Sequence, residues 1–145
     1  MSAMKVYNSD ELNILVGPVL VNNGLANGDV IRVESSSDII DYEVGCDGEV
    51  AISRTNDHTA SIYIMVMSTS AANDGLSILA NLAKTAPKMA GAIVPIEISD
   101  RNGRSTYKGA NCVVSKEPNR VFGKKANTNE WKIFVAQLVR VDGGN

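Results

Sequence analysis

The chain has 145 residues and a formal net charge of −2, and its 44% hydrophobic and 21% charged residues lie near the globular averages. This length suits one domain over residues 1–145 that buries roughly two-thirds of its unfolded surface, and the composition excludes a disordered or fibrous chain. No stretch approaches the roughly 18 consecutive apolar residues of a membrane helix, and "MSAMKVYNSDELN" lacks the layout of a signal peptide, which favours a cytosolic protein without membrane partners.

The charges are distributed unevenly along the chain. Met1–Asp74 contains eleven acidic and three basic residues, a net charge of −8, whereas Gly75–Asn145 contains five acidic and eleven basic residues, a net charge of +6. The two halves can neutralise each other within one monomer. They can equally dock copies of the chain head to tail, a contact that produces rings or filaments.

The first third of the chain predicts short β-strands, because apolar residues alternate with polar ones. In "ELNILVGPVLVNNGLANGDVIRVESS" the strands are separated by turns at Gly17–Pro18, Asn23–Gly24 and Asn27–Gly28. A strand over Val30–Glu34 follows.

The acidic stretch "SSSDIIDYEVGCDGEV" predicts a long, exposed excursion. Its apolar residues Ile39, Ile40, Tyr42 and Val44 can form an edge strand, in a hairpin that closes at Asp47–Gly48. The acid pairs in it have same-face strand spacing, which is typical of a solvated acidic face and resembles a calcium loop only loosely.

The stretch "TASIYIMVM", Thr59–Met67, is apolar on both alternating faces. We therefore expect a strand covered on both sides, by the core on one side and by a helix, a second sheet or a neighbouring subunit on the other. The period then changes to that of a helix, predicted over about residues 73–86 with Ser70, Asn73 and Asp74 as N-cap candidates and with Pro87 ending it.

The remaining sequence returns to β structure. We predict strands Ile93–Ser99, Ser105–Lys108 and Ala110–Lys116, with a turn at Asn102–Gly103. After the polar loop "EPNRVFGKKANTNE", a long strand Glu130–Val141 is expected in the centre of the sheet. Its two predicted faces carry Trp131, Ile133, Val135, Val139 and Val141 on one side and Lys132, Phe134, Ala136, Leu138 and Arg140 on the other.

The residues contain no catalytic constellation, so we expect no catalytic, metal or cofactor-binding residues. The single histidine, His58, is adjacent to Asp57, and neighbouring strand residues point to opposite faces, so Asp57 could not easily orient its ring. Serine-nucleophile, P-loop, dinucleotide and HExxH motifs do not occur. Cys46 and Cys112 have no metal-like spacing and are expected to be small buried hydrophobes, with a disulfide or a metal site as the open alternatives.

Seven motifs occur in order along the chain: "VGPV" at 16–19, "GDVIRVE" at 28–34, "GCDGEVAISRTNDHTASI" at 45–62, "TSAANDGLSIL" at 69–79, "VPIEISDRNG" at 94–103, "EW" at 130–131 and the final "GGN". This ordered set resembles a known family, the tail tube proteins of contractile-tailed bacteriophages. The resemblance runs from about Leu12 to the C-terminus.

The resemblance implies a mostly β, sandwich-like or barrel-like tail tube fold with one helix. Six copies would form a ring whose sheets join into a continuous β-barrel, and stacked rings would form a hollow tube that guides the genome into the host. It also implies a structural, non-enzymatic virion protein, assembled in the host cytoplasm, whose partners are further copies of itself, the tail sheath protein, baseplate and tape measure proteins, and double-stranded DNA passing non-specifically through the lumen.

The same resemblance implies an inter-ring loop over about residues 35–48. We expect its subunit contacts at Asp38, Ile39, Ile40, Asp41, Tyr42 and Glu43, and contacts to the sheath or to other rings at Lys116, Arg120, Lys124 and Lys125. Two alternatives stay open: another ring-forming tail or baseplate component on the same fold, and a monomeric β-barrel that binds a small ligand.

Overall fold

The structure of the chain is a computed structural model that describes residues 12–21, 30–85, 92–100, 105–125 and 127–143. Ten strands and one helix lie within these ranges. They are β1 (Leu12–Val16), β2 (Val19–Leu20), β3 (Ile31–Ser35), β4 (Ile40–Val44), β5 (Val50–Arg54), β6 (Ala60–Met67), α1 (Ala72–Thr85), β7 (Val94–Asp100), β8 (Thr106–Lys116), β9 (Thr128–Val135) and β10 (Leu138–Val141).

Eight of the strands form one antiparallel sheet with the order β2-β1-β7-β8-β9-β6-β3, in which β10 pairs with β8. The other two, β4 and β5, form a separate hairpin. The mostly β, sandwich-like fold with one helix is confirmed, although the sheet of the single subunit does not close into a barrel. The central position predicted for the C-terminal strand is also confirmed, because β9 lies between β6 and β8.

The core lies on one face of the sheet, where α1 packs against β8 and β2. Strand β6 shows why one face of the sheet forms the core. Its residues Ile62, Ile64 and Val66 are completely buried at alternating positions, as the period of two predicts. From α1, Leu76 and Leu79 reach the same cluster. The helix begins one residue before the predicted span, and the stop predicted at Pro87 lies outside the described residues.

The start of α1 is tied to β9 by a buried polar network. Asn73 donates from Nδ2 to the carbonyl oxygens of Met67 at 2.9 Å and Ser70 at 3.1 Å. Its Oδ1 accepts hydrogen bonds from Trp131 Nε1 at 2.9 Å and from Asn129 Nδ2 at 3.1 Å. Of the predicted N-cap candidates, Ser70 has the capping role, since its Oγ accepts from the amide of Ala72. Asn73 instead connects the helix to the sheet through buried hydrogen bonds.

The predicted strand Glu130–Val141 is wrong as one continuous element. It is interrupted at Ala136–Gln137, where the Leu138 amide donates to the carbonyl oxygen of His58. The interruption reverses the faces: Leu138 packs against the core, whereas Val139 is 64% exposed. The two strands predicted over Ser105–Lys108 and Ala110–Lys116 are one strand, β8, with an irregular register beside β7.

The turn predicted at Gly17–Pro18 lies between β1 and β2 as expected. The turns predicted at Asn23–Gly24, Asn27–Gly28 and Asn102–Gly103 lie outside the described residues. No helix in the described part of the chain is long and apolar enough to cross a membrane.

Candidate assembly surfaces

The segment 38–54, named here the arm, projects from the sheet as the hairpin of β4 and β5. Every residue of both strands is exposed. The arm turns at residues 45–48, where the Gly45 amide donates to the carbonyl oxygen of Glu49 and Gly48 has a φ of 87°. A positive φ is readily adopted only by glycine, so the Asp47–Gly48 pair fixes the predicted turn at this point.

The two faces of the arm differ in chemistry. The pairs Tyr42↔Ile52 and Val44↔Val50 place apolar side chains on one face together with Ile40, and Tyr42 is 70% exposed. The pairs Asp41↔Ser53 and Glu43↔Ala51 lie on the other face. The arm is therefore amphipathic although neither face is covered in the single subunit.

Asp57 forms hydrogen bonds at the base of the arm. Its carboxylate accepts hydrogen bonds from Ser37 Oγ at 2.6 Å, from the Thr59 amide at 3.0 Å and from Thr59 Oγ1 at 2.7 Å. These hydrogen bonds, Ser37 first, lower the pKa of Asp57 from 3.8 to about 2. Since Ser37 follows β3 and Thr59 precedes β6, Asp57 links the two segments through which the arm leaves and re-enters the sheet.

The expectation that Asp57 and His58 point to opposite faces of a strand does not apply, because residues 55–59 lie outside the strands. Both side chains line one small pocket of about 130 Å³ at the base of the arm, together with Arg140. The Asp57 carboxylate already accepts hydrogen bonds from Ser37 and Thr59. In the described residues, no group of three or more His, Cys, Asp or Glu side chains is placed to hold a metal ion.

The predicted contact residues of the acidic stretch are all brought onto the arm. They are exposed and close together, and Ile39 is the most exposed apolar residue among them at 82%. The arm also includes β5, which the predicted loop over about residues 35–48 leaves out. The set is Asp38, Ile39, Ile40, Asp41, Tyr42 and Glu43.

The predicted basic contact residues lie on one segment, residues 116–125, named here the basic loop. Lys116, Arg120, Lys124 and Lys125 are all exposed. The loop also presents two apolar side chains, Val121 at 69% and Phe122 at 85% exposure, and the Arg120 guanidinium lies 5.4 Å from the centre of the Phe122 ring.

Several contacts attach the basic loop to the body of the subunit. Asn127 Nδ2 donates to the Val121 carbonyl oxygen at 2.9 Å, and the backbone of Asn127 is bonded to Ser68, the residue after β6. Glu117 is paired with Lys84 of α1. The loop is therefore held near the Met67 end of β6.

The arm and the basic loop leave the sheet at opposite ends of β6. The arm begins beyond Ser35, which pairs with Ala60 at the first residue of β6. The basic loop ends before Thr128, which pairs with Met67 at the last residue of β6. Eight strand residues separate the two ends by roughly 23 Å.

The outer face of β6, predicted to be apolar and covered, is only partly covered in the subunit. Met65 is 8% exposed and Met67 37% exposed. Tyr63 lies between two cations, with Arg32 at 4.2 Å and Lys132 at 5.8 Å from its ring centre. A recess of about 330 Å³ lies beside Tyr63, at the start of the basic loop.

The two cysteines differ, so the prediction that both are buried is wrong for one of them. Cys112 is 2% exposed in the core, and burial raises the pKa of its thiol to about 11. Cys46 lies in the turn at the tip of the arm and is exposed. Its surroundings differ because every residue of the two strands of the arm is exposed.

Comparison with known proteins gives two findings. A family model described as "Bacteriophage PhiTE tail tube protein" matches residues 15–143. Among solved structures, the chain is similar to the anti-feeding prophage cap, a tube-terminating cap studied by cryo-EM, with a TM-score of 0.60, 7% identity, and coverage of 97% of this chain and 94% of that chain. At this identity the likeness shows the fold alone. No curated protein matches the sequence.

Proposed function

This chain belongs to the family of the bacteriophage PhiTE tail tube protein, a family of structural proteins of the virion tail, and we propose that it forms the inner tube of a contractile tail as stacked rings of six copies. The family match carries the proposal, because it covers residues 15–143 and so includes both the sheet and the arm. The tube would be the conduit through which the genome enters the host.

Two features of the subunit support an assembled state. The sheet ends at β2 on one side and at β3 on the other, and such edges attract further strands unless they are covered. Joining these sheets around a ring would remove the edges and give the continuous barrel that the proposal requires. The amphipathic arm, exposed along both of its strands among the described residues, would likewise gain a partner in the assembled state.

The contact residues follow from the same proposal. Asp38–Glu43 of the arm would contact a neighbouring subunit, and the cations of the basic loop would contact another ring or the sheath. Further partners would be the tail sheath protein, the baseplate, the tape measure protein and double-stranded DNA, which would pass through without sequence readout. Assembly would take place in the host cytoplasm.

A second candidate is supported by the likeness to the tube-terminating cap. The same fold can serve at the end of a tube as well as along it, so the chain could be a ring-forming component that stops growth or joins the tube to another part of the tail. Such a component forms single rings. A tube subunit forms stacks.

Negative-stain electron microscopy of the purified chain across a concentration series tests the proposal. Hollow tubes or stacks of rings are expected, and they become more abundant with concentration. Single rings that never stack would favour the terminal component instead. A monodisperse monomer at every concentration would overturn self-assembly and favour a monomeric protein.

A further inference from the structure

The arm is joined to the sheet by two short segments, residues 36–39 and 55–59, named here the hinge. We infer that the hydrogen bond between Ser37 and Asp57 is a latch across this hinge, which fixes the direction in which the arm leaves the subunit. Breaking the latch lets the folded arm swing as one unit. The latch acts within one subunit and therefore does not depend on the proposed tube.

The strand ladder is out of register across the hinge. The last pair of β3 with β6 is Ser35↔Ala60, and the first pair of the arm is Ile40↔Arg54. Four residues therefore connect the two pairs on one strand, and five residues connect them on the other. The extra residue resembles that of a β-bulge, so a regular ladder cannot continue from the sheet into the arm.

The sheet side of the hinge is held by backbone hydrogen bonds. The Ser36 amide donates to the Thr59 carbonyl oxygen at 3.1 Å, directly beyond the last pair of β3 with β6. The His58 carbonyl oxygen accepts from the Leu138 amide at 3.0 Å, which joins this segment to the start of β10. Ser36, His58 and Thr59 are therefore held in the sheet.

The pivot of the hinge lies at residues 37–38 and 56–57. On its arm side, the Thr55 amide donates to the Ile39 carbonyl oxygen at 3.0 Å and extends the ladder of the arm. Within the described hinge, the two pivot segments share no backbone hydrogen bond, and the bond from Ser37 Oγ to Asp57 Oδ2 at 2.6 Å is the one that crosses between them. Without it, no hydrogen bond spans the pivot.

The geometry around Asp57 makes this bond an effective latch. The amide and the hydroxyl of Thr59 donate to the carboxylate at 3.0 Å and 2.7 Å, so the carboxylate is oriented from its own strand. The Ser37 hydroxyl then meets it from the other strand, at a length typical of the strong bonds between a hydroxyl and a carboxylate. Loss of the Ser37 bond alone therefore opens the pivot.

The surroundings of the hinge leave room for a swing. Every residue of both arm strands is exposed, so burial contributes little to the direction of the arm. The small pocket of about 130 Å³ lies between the hinge and β10 and is open space into which the hinge can bend. An arm held in one direction loses less conformational freedom when it meets a partner, which favours binding.

Spin labels measure the direction of the arm by double electron–electron resonance. One label is attached to the native Cys46 at the tip of the arm and the other to Ile78→Cys on the exposed side of α1, while Cys112 is buried and stays unlabelled. A tenfold excess of unlabelled chain ensures that distances are measured within one subunit. Ser37→Ala removes the latch. Ser36→Ala is the matched control, since in the described chain Ser36 is exposed and its hydroxyl forms no hydrogen bond.

Ser37→Ala should broaden the distribution of label distances about twofold, and Ser36→Ala should leave it unchanged. Ser37→Thr keeps the hydroxyl and should retain the narrow distribution. Asp57→Ala should broaden it at least as much as Ser37→Ala, and the double variant no further than Asp57→Ala, because both changes remove the same bond. A Ser37→Ala distribution as narrow as that of Ser36→Ala would overturn the latch.

Nuclear magnetic resonance distinguishes a swinging arm from a melted one. The cross-strand backbone contacts of β4 with β5 should persist in Ser37→Ala, and their loss would contradict movement of the arm as a unit. Assembly is a separate question: a chain that never forms tubes would refute the proposed function while the latch and its distance distributions stay as stated.

Discussion

Replacing Asn73 with alanine removes the centre of the network that joins α1 to β9. Trp131 Nε1 and Asn129 Nδ2 lose their acceptor, and both residues are only 2% exposed. A buried donor left without a partner costs about 1–3 kcal/mol, so the two together cost about 2–6 kcal/mol. The better helix propensity of alanine returns less than about 0.7 kcal/mol. We therefore expect Asn73→Ala to lower the free energy of unfolding by about 1–5 kcal/mol.

Urea unfolding followed by far-UV circular dichroism measures this loss, since Trp131 is the only tryptophan and is itself varied. Asp74→Ala is the matched control: its exposed carboxylate in the first turn of α1 contributes about 0.3–1 kcal/mol. A double-mutant cycle with Trp131→Phe should give a coupling energy of about 0.5–3 kcal/mol. An Asn73→Ala loss no larger than that of Asp74→Ala, or a coupling energy near zero, would refute the proposed role of the network.

Three further predictions concern packing, protonation and thiol accessibility. A Cβ on Gly109 would lie 2.4 Å from Val135 Cγ1, so Gly109→Ala should cost about 1–3 kcal/mol. Adding Val135→Ala should cost less than the sum of the single changes; strict additivity in urea unfolding would contradict the clash. The depressed pKa of Asp57 means that its contribution to stability is present above pH 3.8 and is lost as the pH falls through about 2; a carboxyl NMR midpoint near 3.8 would be inconsistent with it. Cys46 should react with a thiol reagent in the native chain and Cys112 only after unfolding; two fast-reacting thiols would argue against this burial.

The elements best predicted from sequence are those that local pattern alone determines. The alternation in β6 and the change of period at α1 identify a buried strand and the helix packed on the sheet. Asp47–Gly48 predicts the turn of the arm, because few other residues adopt the required positive φ.

Features that depend on contacts distant in sequence were missed. The alternation of Glu130–Val141 continues through Ala136–Gln137, yet the strand breaks there, where Leu138 bonds to His58 and the neighbouring strand β8 changes register. The role of Asn73 depends on Trp131, 58 residues away. A buried tryptophan needs a partner for its N–H, so Trp131 was the signal that a polar acceptor should be sought in the core.

The sequence identified the residues of the candidate contact surfaces but not the positions of these surfaces in the fold. Sequence identified the acidic stretch and the basic loop, whose uneven charge is visible in the composition of the two halves. The hairpin predicted at Asp47–Gly48 requires a returning strand, although the predicted contact loop ended at about residue 48. The sequence did not indicate that the two surfaces lie at opposite ends of β6, because that depends on strand pairing.

Cryo-electron microscopy of the purified chain, assembled at high concentration, tests the central claim most directly. The expected particle is a hollow tube of stacked rings with six subunits each. Monomers, closed dimers or solid filaments without a bore would contradict a role as a tube subunit.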